Sequence, residues 1–380
     1  MEKRKIDMIY ALLIGTIVLG ISIVCWLKPA DDISTTERRK LAQFPLLSIE
    51  SVVDGSFMEK FETYTLDQFP MRDKFRSLKA SVQKYVLGQN DNNGIYQAEG
   101  HLSQMDSNIS DVAIERSVNK LNSVYNTYLK NTDAKVYLSI IPDKNYFLAE
   151  KNGYLAYDYE QFFDVVTDKL NYMTYIEIRD LLELEDYYCT DTHWKQECIL
   201  DVADKLAGNM WMDAANDQQE QFADGDGLAS KYEANTLDTP FYGVYYGQAA
   251  LQMEPDRLTY LINDVLAECI AYDHENQREI PMYDMDKAVG RDGYEMYLSG
   301  SLSVITIENP NAVSDKELVI FRDSFGSSIA PLMIGDYAKV TLLDIRYLNE
   351  NMIGEFVNFT NQDVLFLYST SVLNNESSFR

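Results

Sequence analysis

The chain has 380 residues, is 46% hydrophobic, 24% charged and 12% aromatic, and carries a formal net charge of -27. This composition excludes disorder, a collagen-like chain and a disulfide-stapled miniprotein, and the length fits one large domain or two. The chain is strongly acidic and the acidity is not gathered in a tail, so the basic face that nucleic-acid binding requires is missing, and a neutral or cationic partner is easier to accept than a strongly anionic one.

Glu2 to Lys5 read E-K-R-K, and Met8 to Leu27 are almost continuously apolar without a charge. About 20 helical residues at ~1.5 Å each span a hydrocarbon core ~30 Å thick. Lys3, Arg4 and Lys5 then stay in the cytoplasm, and everything after Lys28 lies outside. The rival is a cleavable signal peptide. Trp26-Leu27-Lys28-Pro29 stand where a small-residue cleavage site is needed, which favours an uncleaved signal anchor. Residues 1–30 are thus read as a cytoplasmic tip and anchor helix crossing the membrane through residues 8–27. Residues 31–105 are read as a juxtamembrane linker and helical region, and 106–380 as the main domain with an insertion around 213–300.

Phe57 to Leu87 reads as helical, broken near Phe69-Pro70, with Phe57, Phe61 and Tyr64 and then Phe75, Leu78 and Val82 at helical spacing. Gly94 to Leu102 follows a turn-rich stretch and fits a small hairpin. An alternation begins there. Helices are expected at Val112–Leu129, Tyr159–Tyr172, Lys195–Trp211 and Pro255–Ile270, and strands at Val136–Ile141 and Tyr175–Ile178. Asp213 to Thr239 is polar and reads as a loop. Ser303–Ile307 reads as a strand of unassigned place. The C-terminal part alternates cleanly: strands at Leu318–Phe321, Val340–Leu343 and Val364–Tyr368, helices at Ser327–Ile334 and Asn349–Phe359. Apolar strands alternating with helices imply an α/β fold, a three-layer parallel sheet flanked by helices, with its sites at the C-terminal strand ends.

Two motifs fall at such ends. Asp191-Thr192-His193-Trp194 lies in a loop, where residues two apart face one side, so Asp191 and His193 can point together. A carboxylate beside an imidazole fixes its tautomer and stabilises the imidazolium. Trp194 can wall such a site or pack beneath it. Arg322-Asp323-Ser324-Phe325-Gly326 directly follows the strand Leu318–Phe321. A serine at a strand-to-helix turn is well exposed as a nucleophile but needs a base such as His193. Each motif also has a plain structural reading: Ser324 as a helix cap, Asp191 and His193 as a structural pair. Together they favour a triad.

Cys25, Cys189, Cys198 and Cys269 show no C-x-x-C spacing, and buried thiols are a simpler reading than one disulfide. His101, His193 and His274 lack zinc-ligand spacing, and His101 and His274 read as surface residues. No phosphate-binding loop is present, which leaves no basis for a nucleotide cofactor, and with the histidine and cysteine spacings above no cofactor and no metal is expected.

The D-T-H-W motif upstream of R-D-S-F resembles the DHHW family of bacterial surface proteins and is similar to alginate O-acetyltransferase proteins of the AlgX/AlgJ type, both SGNH-hydrolase-like. E-R-R-K-L-A-Q-F-P at Glu37–Pro45, D-Q-F-P-M-R-D at Asp67–Asp73, Y-L-S-G at Tyr297–Gly300 and L-L-D-I-R-Y at Leu342–Tyr347 extend the resemblance from about Glu37 to the C-terminus. It implies a permuted SGNH-hydrolase-like order, with the histidine before the serine. It also implies Ser324 as nucleophile, His193 as general base and Asp191 as its orienting partner, in acyl transfer, often acetyl, onto an extracellular polysaccharide. The implied donor-side partner is a multi-pass membrane O-acyltransferase. Thr192 departs from the second DHHW position, as in the alginate-type variant. Lys144 and Asn145, after the strand Val136–Ile141, are candidate further donors, with an ordinary turn after Pro142 as the alternative. Arg322 either orients the site or forms an ion pair. An esterase with the same three residues, and a non-catalytic glycan-binding or assembly protein, remain alternatives.

Overall fold

The computed structural model describes residues 2–212 and 231–379. Contacts divide the chain into two compact units, Met1–Asn92 with Tyr246–Gln252, and Asn93–Tyr245 with Met253–Arg380.

The larger unit is built on eight strands: β1 (Lys135–Ile141), β2 (Thr174–Tyr175), β3 (Ile270–Asp273), β4 (Arg278–Ile280), β5 (Val304–Glu308), β6 (Glu317–Arg322), β7 (Lys339–Leu343) and β8 (Asp363–Ser369). Their spatial order is β4-β3-β5-β7-β6-β8-β1-β2. The run β7-β6-β8-β1-β2 is parallel. The run β4-β3-β5-β7 is antiparallel. The outermost antiparallel pair has a simple cause: only four residues separate β3 from β4, and a turn that short can join strands only as a hairpin. The strand expected at Ser303–Ile307 thereby finds its place, between β3 and β7.

Strand β6 sits centrally, with Ile320 beside Leu342 of β7 and Leu365 of β8. Successive side chains of a strand leave on opposite faces. Leu318 and Ile320 therefore join one core with Leu342, Leu365 and Leu367. Val319 and Phe321 join the other with Val364 and Phe366. Helices Leu200–Met212 and Gly326–Met333 cover the first face, through Val202, Leu206, Ile329 and Met333. Helices Asp111–Val124 and Tyr159–Lys169 cover the second, through Val118, Leu121, Phe162 and Val166. Each fully buried aliphatic side chain contributes about 1.5–3 kcal/mol, so the strands are fixed by what covers them.

Several elements differ from the sequence reading. Pro255–Ile270 is not one helix: Asp256–Ile262 is a strand paired antiparallel with Glu233–Phe241, and only Asp264–Glu268, capped by Asn263, is helical. Thr259 and Thr236 meet across that ladder at 2.9 Å. A cross-strand partner overrides a helical spacing of apolar residues. The same ladder removes Glu233–Thr239 from the expected loop, whose part 213–230 lies outside the described residues. Of the strand expected at Tyr175–Ile178, the regular ladder holds Thr174–Tyr175, and the Ile176 N–H still donates to the Leu138 carbonyl at 2.8 Å. Asn349–Phe359 is a 3-10 turn and a single helical turn, Glu350–Met352 and Ile353–Phe356. His101 is buried rather than superficial, on the hairpin Ile95–Ala98/His101–Gln104, with its Nε2 3.5 Å from the Cys189 thiol. His274 is half-buried, with Nε2 3.1 Å from the Thr306 hydroxyl. All four cysteines are free.

In the smaller unit, Glu2–Leu27 is one helix, and its segment Arg4–Leu27 is long and apolar enough to cross a membrane and unburied throughout. Helices Ser56–Asp67 and Arg72–Tyr85 are separated at Pro70, with Met71 in the left-handed region at φ 55°. Phe44 packs edge-on to Phe57, Phe61 and Tyr64, and charged groups tie the unit as well. Asp67 accepts two bonds from Arg39, at 2.8 and 2.5 Å, and one from the Ala42 N–H. The Arg39 guanidinium holds the Asp67 carboxyl below its ordinary value, burial opposing it. Glu37 pairs with Arg72 at 2.5 Å and with Arg76 at 3.1 Å. Arg76 also donates to the Gly247 carbonyl. The two early signature motifs are therefore the two sides of one ion-pair network.

Candidate active site

The D-T-H-W motif is the tip of a tight antiparallel turn. Tyr187 bridges Trp194, and the Tyr188 N–H donates to the His193 carbonyl at 3.0 Å. The stem is tied down from several sides. The buried Asp256 carboxylate accepts from the Cys189 and Thr190 N–H groups and from the Thr190 hydroxyl. The Lys144 ammonium, fully buried, donates to the Tyr188 carbonyl at 2.8 Å and the Cys189 carbonyl at 3.3 Å. Burial pushes the Lys144 pKa down to about 8, with the Asp191 and Asp256 carboxylates opposing. Gly243 passes so close that an added Cβ would lie 2.3 Å from the Asp191 Cα. That approach lets the Val244 N–H donate to Asp191 Oδ2 at 2.8 Å.

The R-D-S-F-G motif is the turn between β6 and the helix Gly326–Met333. Asp323 is buried and holds the turn, accepting from the Phe325 N–H and from the N–H and hydroxyl of Ser369. Gly326 lies against Arg322, where an added Cβ would come within 2.6 Å. From Phe321 to Ala330 every residue is buried except Ser324. The helix Gly326–Met333 takes no side-chain cap from Ser324.

The two turns, 131 residues apart in sequence, meet through Ser324 and His193: Ser324 Oγ lies 2.7 Å from His193 Nε2. His193 Nδ1 lies 2.6 Å from Asp191 Oδ1. An ionised carboxylate only accepts, so it holds the proton on Nδ1 and leaves Nε2 free to accept from the serine hydroxyl. Tyr294 lies flat on the imidazole, ring centres 3.7 Å apart and planes 7° apart. Its hydroxyl and the Trp194 Nε1 both reach Ser328 Oγ at 2.8 Å, so one hydroxyl ties together three walls.

The structure thus brings Ser324, His193 and Asp191 together and places the other candidates around them. Trp194 is fully buried, with its ring edge-on to Phe325. Arg322 is fully buried, 3.2 Å from the Leu302 carbonyl and 3.9 Å from Asp344. Asn145 donates to the Asp106 and Leu155 carbonyls and accepts from Tyr96. The bonds of Lys144 go to the stem carbonyls, as above, and those of Asn145 to the neighbouring loops. Neither side chain bonds to Ser324. The sequence reading gave no role to Tyr294, Gly243, Asp256 or Ser328. Only Tyr294 left a trace, three residues before the Y-L-S-G signature at Tyr297–Gly300.

No family model matches the chain, and no curated protein matches it in sequence. Solved structures do match. A DHHW family protein from Eubacterium siraeum is similar over 76% of this chain and 94% of its own, at 20% identity and TM-score 0.59. Bacillus cereus PatB1 is similar over 75% of this chain and 99% of its own, at 18% identity and TM-score 0.58; it is also matched in a form with a sulfonyl adduct, at TM-score 0.55. The O-acetyltransferase domain of Pseudomonas putida AlgJ matches at 12% identity over 70% of this chain and 82% of that domain, with TM-score 0.37. The resemblance expected from the motifs is found at the level of the fold: the chain has the α/β architecture of the DHHW protein and PatB1.

Proposed function

We propose that the protein is a membrane-anchored, extracytoplasmic O-acyltransferase that modifies a polysaccharide, with acetyl as the group transferred. One observation carries the reading: the one solvent-reaching residue of the β6 turn is a serine whose hydroxyl bonds to an imidazole, itself bonded to a buried carboxylate. Serine is a poor nucleophile at neutral pH until a base takes its proton.

Ser324 Oγ attacks the donor acyl carbonyl while its proton passes to His193 Nε2. That proton goes to the departing donor oxygen as the ester bond breaks, leaving an acyl-serine. A sugar hydroxyl then attacks the acyl-serine, gives its proton to His193, and takes the acyl group as Ser324 recovers its hydrogen. Asp191 balances the transient imidazolium. The Ser324 N–H, unpaired among the described residues, is the donor we assign to the developing oxyanion. Arg4–Leu27 provides the anchor, and a multi-pass membrane O-acyltransferase is the proposed supplier of acyl groups.

The test is a partition experiment with p-nitrophenyl acetate as donor and neutral oligosaccharides as acceptors. Acetyl ester on the sugar supports the transferase. Free acetate alone, whatever the acceptor concentration, moves the assignment to an esterase. No Ser324-dependent release from a folded chain leaves a non-catalytic glycan-binding role.

A further inference from the structure

Helix Arg72–Tyr85 is built inside out. Its inner side is polar or small: Ala80 is fully buried, Arg76 bonds to Glu37 and the Gly247 carbonyl, and Ser77 meets Gln252. Its apolar stripe faces solvent, with Phe75 45%, Leu78 59%, Val82 39% and Tyr85 73% exposed, Phe75 also resting edge-on to Phe69. The stripe follows helical periodicity and is contiguous, unlike the scattered single exposures normal on a surface. The helix is also basic: it carries five basic residues and one acidic residue. By helical geometry Lys74 and Lys79 flank the stripe on either side, and Asp73 points away, bonded to Thr36. An apolar face bordered by lysines is the pattern of a helix lying in a membrane interface.

The same unit supplies the reason for a bilayer rather than another helix. It contains the Arg4–Leu27 segment. Asp31, four residues beyond that segment, is held by reciprocal bonds with Gln68 at 2.8 and 2.9 Å. Gln68 is itself four residues before Arg72, so the chain ties the stripe close to the end of the apolar segment. A helix of 14 residues gives only two heptads, short of the three or four that sustain a coiled coil. Lys74 and Lys79 would also repel their own copies.

We propose that helix Arg72–Tyr85 lies in the headgroup–acyl boundary of the bilayer crossed by Arg4–Leu27, with its apolar stripe inserted and Lys74 and Lys79 against anionic phospholipid. This rests on the anchoring proposed above and not on the acyl chemistry.

The test uses the full chain with p-benzoylphenylalanine in place of Leu78, reconstituted in vesicles of three parts phosphatidylcholine to one part phosphatidylglycerol with a trace fluorescent phospholipid. Irradiation should yield lipid adduct at least about fivefold above the same probe at exposed Glu115. A lysine at an anionic surface is worth roughly fivefold, so the Lys74→Glu/Lys79→Glu variant, and vesicles lacking phosphatidylglycerol, should each cut the yield at least that much. A band at the mass of two chains, or lipid adduct no higher than at Glu115, overturns the proposal. Carbonate extraction of the same vesicles reads the anchor separately: extraction of the chain removes the anchoring and the proposal with it. A retained chain without adduct removes the helix contact alone. Melting temperatures within about 2 °C of the unsubstituted chain show that the variants fold.

Discussion

In the larger unit, β6 sends Leu318 and Ile320 to one side and Val319 and Phe321 to the other, and helices close over all four. In the smaller unit, helix Arg72–Tyr85 keeps Ala80 and Arg76 inside and turns Phe75, Leu78, Val82 and Tyr85 outward. The first arrangement spends apolar area on folding. The second leaves that stripe exposed and ties its chain with the Arg39–Asp67 and Glu37–Arg72–Arg76 pairs and with Phe44 packed among Phe57, Phe61 and Tyr64. Periodicity reveals that a helix has two faces; it does not say which of them is turned inward.

The sharpest way to test the larger unit is to change the one solvent-reaching residue of its β6 turn. Ser324→Ala should lower kcat/KM for an activated ester by about 10⁴-fold or more, with a melting temperature within about 2 °C of the parent. Asp191→Asn keeps the shape but loses the preference for a proton on Nδ1, and should cost about 10²–10⁴-fold in the same assay. A matched pair then addresses the contrast between the units. Ile320→Ala should destabilise by about 2–5 kcal/mol in denaturant melts, whereas Leu78→Ala should stay within about 0.5 kcal/mol. A large loss at Leu78 would mean the stripe has a partner within the chain.

Acid sharpens the other half. The Asp67 carboxyl has a folded pKa below its ordinary value, so its contribution is complete above that ordinary value, near pH ~4, and is lost as pH falls through the folded value. Arg39 is partly solvated, so Asp67→Asn should cost only about 1 kcal/mol at pH 7. The difference between parent and variant should vanish in acid melts.

The parallel core was legible because β1, β6, β7 and β8 are short apolar runs bounded by turns, a pattern that survives any tertiary context. The strand Asp256–Ile262 was not, because Leu258 and Leu261 are three apart and fit a helix equally well. Its identity depends on Glu233–Phe241 lying alongside. Ser324, His193 and Asp191 were legible as motifs. Their setting was not: Tyr294 stacks on the imidazole and Gly243 admits the Val244 N–H only through approaches that the chain makes in three dimensions. Lys144 and Asn145 were singled out for their place after a strand, and both turned inward to carbonyls.

The central claim is that Ser324 is a base-activated nucleophile. A sulfonyl fluoride gives a stable adduct with such a serine, and peptide mass mapping locates it. The account predicts one adduct, on Ser324, formed at least about 100-fold more slowly in His193→Ala. An adduct on any other residue, or an unmodified Ser324 in folded protein after prolonged exposure, would contradict it.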